Sequence, residues 1–154
     1  MERTFSTPSV DIPHLAVPIL WVGLLAGVSF IATSAKFGAT SLSLPVALDV
    51  GRVTFALFNI VEWTALALLV AAVVFSEPSA FSSVMTALLA ALLAAQTVWL
   101  LPALNDRIGA IIAGHAPPSA PYHWIYIGMD LAKVGLLIAM AWSQAVKLSA
   151  AVSR

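Results

Sequence analysis

One apolar stretch near the end of the sequence limits what this chain can fold into. Residues 122–146 read YHWIYIGMDLAKVGLLIAMAWSQAV, and as a helix they are long enough to cross the roughly 30 Å hydrocarbon core of a bilayer. The stretch nevertheless carries Asp130 and Lys133, and Lys133 falls near its middle. Ionisable groups at that depth are rare, and they normally face a partner or a pathway inside a bundle. The stretch therefore predicts a membrane-spanning helix whose polar side chains face other helices.

The composition predicts an integral membrane protein. The chain has 154 residues, of which 61% are hydrophobic and 9% are charged, whereas a soluble domain has about 25% charged residues. Such a chain cannot cover itself with a hydrated surface. Its formal net charge is zero, so no nucleic-acid partner is predicted. The absence of cysteine excludes disulfides, thiolate metal sites and cysteine nucleophiles.

Four apolar stretches predict an all-α integral membrane bundle of four helices in one domain, residues 1–154. The expected helices cover residues 15–33, 53–75, 82–104 and 122–146, with connections at residues 34–51 and 105–121. We also expect an extended or interfacial arm at residues 1–13, and we expect Ser76-Glu77-Pro78 to end the second helix because proline cannot continue one. Four crossings predict that both termini lie on the same side. Lys and Arg divide evenly between the two sides, so the positive-inside rule gives no orientation.

Polar residues occur at matching depths in the second and fourth predicted helices. Glu62 and Lys133 both fall near the middle of their helices, and Asn59 and Asp130 each lie three residues earlier on the same face. Together with Arg52, they predict an intramembrane polar network. An isolated charge at the centre of a helix costs about 2.5–3.5 kcal/mol. We therefore expect Glu62 and Lys133 to form a buried salt bridge, and we expect Gln96 of the third helix to form an interhelical hydrogen bond.

The spacing of 71 residues between Glu62 and Lys133 recurs elsewhere in the chain. At the same offset, KFGA at residues 36–39 aligns with RIGA at residues 107–110, and Leu66 aligns with Leu137. These matches raise the hypothesis of a duplicated two-helix hairpin, whose halves an axis along the membrane normal would relate. Chance matching in a chain rich in Ala and Leu is the alternative.

Two further groups of residues are candidates for packing or binding. Gly23 and Gly27 form a GxxxG pair, which lets another helix approach closely within the bundle or between subunits. His123, Trp124 and Tyr126 begin the fourth helix, where they predict an interfacial cluster and a candidate ligand site. No metal site is predicted, because His14 starts the first helix on the opposite side from His123, and His115 and His123 with Asp106 form only a weak metal-binding pattern.

Four runs of sequence resemble a family of small bacterial membrane proteins. The runs are FIATSAKF at residues 30–37, LPVALDVGRVTFALFN at 44–59, LPALNDR at 101–107 and HWIYIGMDLAKVGLL at 123–137. This family has four predicted helices, unknown function and a distant eukaryotic transmembrane relative. The resemblance implies that Lys36, Arg52, Glu62 and Lys133 belong to the family pattern, whereas the usual acid at the position of Asp130 is Glu. It also implies a bacterial inner membrane, cytoplasmic or intracytoplasmic.

A second resemblance is to four-helix proteins attached to quinone-linked oxidoreductases. The glycine pattern around Lys36 and the acid of the second helix are similar to theirs, but the fourth helix does not fit.

From these features we predict a non-enzymatic membrane subunit that packs into a larger complex, with other membrane subunits, itself or lipid as partners. One alternative is a small proton- or ion-coupled carrier that uses Glu62, Asp130 and Lys133. Another is a quinone- or cofactor-binding subunit of an electron-transfer complex, with its site near His123. The sequence requires no cofactor, although contact with lipid, quinone or pigment is compatible with it. The subunit hypothesis predicts a Glu62–Lys133 pair that is closed to water, whereas the carrier hypothesis predicts a hydrated cavity that reaches the pair from one side.

Overall fold

The computed structural model of the chain describes residues 12–76 and 79–153, and this part is helical, with no strand. Its elements are α1 (Ile12–Leu25), a π-helical segment (Ala26–Ala32), α2 (Thr33–Gly38), α3 (Leu44–Phe75), α4 (Ala80–Ala95), a second π-helical segment (Gln96–Leu100), α5 (Leu101–Ile112) and α6 (Tyr122–Val152). Most of the predicted N-terminal arm, and Glu77-Pro78 of the predicted helix stop, lie outside the described residues. Ser76, where the stop was predicted to begin, directly follows the last residue of α3.

These elements form four continuous helical rods, which we call spans. Span 1 is Ile12–Gly38, span 2 is Leu44–Phe75, span 3 is Ala80–Ile112 and span 4 is Tyr122–Val152. Each is long and apolar enough to cross a membrane. At 1.5 Å per residue, the 32 residues of span 2 extend about 48 Å, which exceeds the hydrocarbon thickness of a bilayer. The predicted all-α membrane bundle of four helices is confirmed.

The spans reach beyond the apolar stretches that predicted them. Span 2 begins at Leu44 instead of residue 53, so a large part of the expected connection at residues 34–51 is helical. Pro45 lies in its first turn, where the missing N–H costs no hydrogen bond. Span 3 likewise continues to Ile112. Apolar length identifies the part of a helix in hydrocarbon, whereas the helix ends depend on capping and on proline.

The four spans pack as a bundle in which spans 1 and 3 each contact both span 2 and span 4. Spans 2 and 4 therefore face each other along one diagonal of the bundle. The core residues are Trp21, Leu25, Phe58, Ala65, Leu66, Leu69, Leu89, Leu93, Leu137 and Met140. The outer surface is apolar as well, since Leu57, Ile60 and Leu68 of span 2 are each more than half exposed. Helices that are apolar on all sides need an apolar medium around them, which agrees with lipid.

The 71-residue offset found in the sequence also relates elements of the bundle to each other. Shifted by 71 residues, the π segment Ala26–Ala32 falls on residues 97–103 and overlaps the segment Gln96–Leu100. Leu66 and its equivalent Leu137 are both buried in the core. Equivalent spans also lie on the diagonals, as a two-fold axis along the bundle would place them. These positions agree with the hypothesis of two similar hairpins, spans 1 and 2 followed by spans 3 and 4.

A nearby residue alters the backbone hydrogen bonding at each π segment. In span 1, the hydroxyl of Thr33 donates a hydrogen bond of 3.1 Å to the carbonyl of Val28, five residues earlier. In span 3, the segment leads into Pro102, which has no N–H to donate to a carbonyl of the preceding turn. Each π segment precedes a basic residue near the end of its span, Lys36 in span 1 and Arg107 in span 3.

Candidate functional site

A single ammonium group lies at the centre of the buried polar network. Lys133, in the middle of span 4, is fully buried and donates hydrogen bonds to Oε1 of Glu62 and, at 2.7 Å, to Oε1 of Gln96. Its Nζ atom also lies 2.9 Å from Oδ1 of Asp130, one turn earlier in the same helix. An ammonium has three donors, and three oxygen atoms surround this one. The predicted buried salt bridge between Glu62 and Lys133 is confirmed, and it joins diagonal spans.

Spans 1 and 3 each add a donor to one of the carboxylates. Trp21 of span 1 donates from Nε1 to Oε1 of Glu62 at 3.2 Å. Gln96 of span 3 donates from Nε2 to Oδ1 of Asp130 at 2.9 Å, so its predicted interhelical hydrogen bond is confirmed. All four spans therefore contribute to one network: Trp21 from span 1, Glu62 from span 2, Gln96 from span 3, and Asp130 and Lys133 from span 4.

The network contains more acid than base. Two carboxyl groups face one ammonium, and Oε2 of Glu62 and Oδ2 of Asp130 are buried without a hydrogen-bond partner in the described part of the chain. A buried acceptor that lacks a donor is costly. A proton carried by one carboxyl group would reduce the excess negative charge and supply a donor at this position.

Two residues of the predicted network occupy other positions. Asn59 is buried but faces span 3, where its Nδ2 donates to Oγ1 of Thr97 at 3.0 Å. Trp63 donates to the same hydroxyl at 3.0 Å. Arg52 does not join the network, because ten residues of helix, about 15 Å, separate it from the glutamate of span 2. It is about half exposed, and its Nη2 lies 2.6 Å from Oδ1 of Asp49.

A cavity of about 270 Å³ lies where spans 1 and 3 end and spans 2 and 4 begin. Most of its wall is apolar, from Phe37, Leu44, Leu48, Leu101, Leu104, Ile108 and Ile111. At its inner end the rings of Phe55 and Tyr126 meet edge to face, with centroids 5.0 Å apart. These rings lie one helical turn before Asn59 and Asp130, so they separate the cavity from the polar network.

His123, Trp124 and Tyr126 lie in different environments at the start of span 4. They were predicted to form an interfacial cluster or a ligand site. Trp124 is 74% exposed and lies on the outer surface. His123 is exposed and lines the cavity, while Tyr126 is buried at its inner end. No group of three or more His, Asp or Glu residues is placed to hold a metal ion in residues 12–76 and 79–153.

Gly23 and Gly27 lie on a face of span 1 that no other described part of the chain covers. A Cβ atom built at either position would meet no atom within 4 Å, and the same holds for Gly128 and Gly135 of span 4. These glycines therefore make no close helix contact inside the bundle.

Trp21 and Thr97 form hydrogen bonds with Glu62 and Asn59 that the sequence did not predict. A signal for Trp21 was available, because a tryptophan in the middle of an apolar helix carries an N–H that needs an acceptor. Thr97 gave no such signal, since a threonine in a helix commonly bonds to the preceding turn, and this hydroxyl does so as well, to the carbonyl of Leu93.

No protein-family model matches the chain, and no curated protein or solved structure matches it. The polar network, the cavity and the outer helix faces are therefore the features of this chain that bear on its function.

Proposed function

We propose that the chain is a non-enzymatic membrane subunit that packs its outer helix faces against other transmembrane helices, in a larger complex or with copies of itself. The observation that carries this proposal is a stripe of small residues along span 4. Its members, all exposed, are Gly128, Ala132, Gly135 and Ala139. They follow one another at intervals of four, three and four residues, so they share one face of the helix.

Small residues on a lipid-facing surface suit contact between helices. Lipid tails are as apolar as leucine, so transmembrane helices associate by close packing, and small residues let their backbones approach. Gly23 and Gly27 provide a second surface of this kind on span 1. Glycine within a helix costs about 1 kcal/mol relative to alanine, and a packed interface would offset that cost.

The enclosure of the polar network supports a structural role for it. Glu62, Asp130 and Lys133 are each exposed by 1% or less, so no solute contacts them in this arrangement. Their hydrogen bonds join all four spans. A rotation or a one-residue slide of any span would break one of these bonds, so the network favours a single helix register.

The proposed location follows from the resemblance to small bacterial membrane proteins. In this proposal the bundle lies in a bacterial inner membrane, and four crossings bring both ends of the chain to one side. Its partners are other membrane subunits, copies of itself and lipid.

Extraction in a mild detergent or a nanodisc, followed by mass determination, tests the proposal. We expect the wild-type chain to migrate in a defined assembly, and we expect Gly135→Leu or Gly23→Leu to dissociate it. Both positions are exposed, and an added Cβ atom would meet no atom of the described chain within 4 Å. Leucine also favours a helix over glycine, so the variants should fold at least as well as the wild type. Ala67→Leu, on the exposed face of span 2, is the size-matched control.

Two results would contradict the subunit proposal. One is a wild-type chain that runs as a lone monomer after the gentlest extraction. The other is an assembly that survives both glycine substitutions, or that Ala67→Leu disrupts equally.

A second candidate, a proton-coupled carrier, is favoured by the two carboxylate oxygens that lack a donor, on Glu62 and Asp130. The cavity ends one turn short of these groups, behind Phe55 and Tyr126. Proton flux into vesicles that contain the purified chain tests this candidate. A flux that Glu62→Gln abolishes, with the assembly intact, would favour the carrier over the structural role, and a wild type without flux would exclude it.

A further inference from the structure

The cavity at the end of the bundle has more cationic than anionic groups around it. Lys36, Arg52 and Arg107 line it, and no Asp or Glu of the described chain does. Arg52 is paired with Asp49. Lys36 and Arg107 form no salt bridge with any residue that the structure describes. Two positive charges therefore border an apolar cavity without a carboxylate to balance them.

Lys36 is held towards the cavity by its neighbours. Its Nζ atom lies 5.0 Å from the ring centroid of Phe37 and 5.5 Å from that of Phe55, within the range of a cation–π contact, and both rings line the cavity. The ammonium also lies directly against Gly51, where a Cβ atom would collide with Nζ. Gly51 therefore provides the space between spans 1 and 2 that the ammonium occupies. The two rings hold the ammonium by cation–π contacts, but they do not offer it the strong hydrogen-bond acceptor that an anion would.

Arg107 approaches the cavity from span 3. Its guanidinium donates a hydrogen bond to the carbonyl of Pro118, in the connection before span 4. A guanidinium has five donors, so donors are left for a second acceptor. Its planar shape suits two oxygens of a phosphate group.

The lining of the cavity repeats at the 71-residue offset. This offset relates five pairs of lining residues, among them Lys36 and Arg107, Arg52 and His123, and Phe55 and Tyr126. Lys36 and Arg107 thus approach the cavity from diagonal spans. One anion in the cavity would be shared by both cations.

We propose that this cavity binds one anionic phospholipid, with the lipid phosphate between Lys36 and Arg107. Phosphate is the anion that lysine and arginine commonly bind at membrane surfaces, and basic pockets between transmembrane helices are typical sites for anionic head groups. The apolar wall beyond the cations favours a ligand with an acyl chain over a free phosphate ion. The volume of about 270 Å³ lies near the lower end of small-molecule sites, so it holds the head group and the start of a chain.

Native mass spectrometry of the purified full-length chain tests this proposal. The chain is freed of native lipid by detergent exchange and offered an equal mixture of phosphatidylglycerol and phosphatidylcholine, or inorganic phosphate alone. We expect one phosphatidylglycerol per chain to be retained in preference to phosphatidylcholine. In Lys36→Met and in Arg107→Met we expect retention to weaken about tenfold, as the loss of one charged hydrogen-bonding group predicts.

Lys147→Met is the matched control, because Lys147 is an exposed cation of span 4 that does not line the cavity. Neither Lys36 nor Arg107 pairs with a carboxylate in the described part of the chain. Their removal should therefore leave helicity unchanged and lower the unfolding temperature far less than the loss of the buried Lys133 would, which circular dichroism would verify. Equal retention of the two lipids, or equal losses in Lys147→Met and Lys36→Met, would overturn the proposal. Retention of inorganic phosphate with no lipid preference would overturn it as well, because the site would then bind a free anion.

Discussion

Replacing Lys133 with methionine removes the central ammonium and keeps most of the side chain's length and volume. The ammonium lies 2.9 Å from Oδ1 of Asp130 and also bonds to Glu62. At an effective dielectric constant of about 20, two unit charges at 2.9 Å attract each other by about 6 kcal/mol. Part of this is cancelled by the cost of removing the ammonium from water. We therefore expect Lys133→Met to lower the free energy of unfolding by about 3–5 kcal/mol, the usual cost of breaking a buried pair.

Glu62→Gln should lower the free energy of unfolding much less than Lys133→Met does. Lys133 keeps Asp130 as its partner, and the new amide oxygen still accepts a hydrogen bond. We expect this change to cost about 1 kcal/mol. The double variant Glu62→Gln, Lys133→Met should be more stable than Lys133→Met alone, since it leaves one buried carboxyl group instead of two without the ammonium. The coupling between the two positions should amount to about 1–3 kcal/mol.

Thermal unfolding in detergent, followed by circular dichroism, measures these differences. For a chain of this length, a loss of 3–5 kcal/mol corresponds to a fall in Tm of about 6–20 °C. Lys147→Met, an exposed cation of the same span, serves as the control and should leave Tm unchanged. The reasoning would be refuted by a Lys133→Met variant within about 0.5 kcal/mol of the wild type, or by additive effects of the two substitutions.

Other parts of the structure yield three further expectations. Trp21→Phe removes the N–H that reaches Glu62 and should cost about 1.5–3 kcal/mol in the same unfolding measurement. Leu69→Ala, in the fully buried core, should cost about 2–5 kcal/mol. Its neighbour Leu68, 56% exposed, is the matched control, and Leu68→Ala should cost less than about 1 kcal/mol. Gly51→Ala should displace the ammonium of Lys36 and reduce the retention of phosphatidylglycerol in the mass-spectrometric assay, whereas Gly38→Ala, where a Cβ has open space, should not.

The pair of Glu62 and Lys133 could be predicted from sequence because depth in a bilayer follows from residue number. Each helix rises by a fixed amount per residue, so two charges near the middle of two spans lie at similar depths. The contribution of Trp21 depends instead on how span 1 is rotated about its axis. That rotation is normally read from an apolar stripe, and a helix that is apolar on every side has none.

The direction of Thr97 illustrates a second limit. Thr97 lies in the π segment that begins at Gln96, and a regular helix would project it in another direction. No simple spacing rule identifies such a segment, although Pro102 shortly after it is a local sign of altered hydrogen bonding. The helix ends were misjudged for a related reason. Asp49 was assigned to the connection, but it pairs with Arg52 within the first turns of span 2.

The salt bridge joins positions that the 71-residue offset relates, and this bears on how such a chain could have arisen. Glu62 and Lys133 are equivalent under the 71-residue offset, and they contact each other. In a symmetric dimer of identical hairpins, a position on the axis meets its own copy, so glutamate would face glutamate and lysine would face lysine. Opposite charges at this position require two halves that differ in sequence. If the chain is cut between spans 2 and 3 and the fragments are co-expressed, each half should therefore select the other over itself.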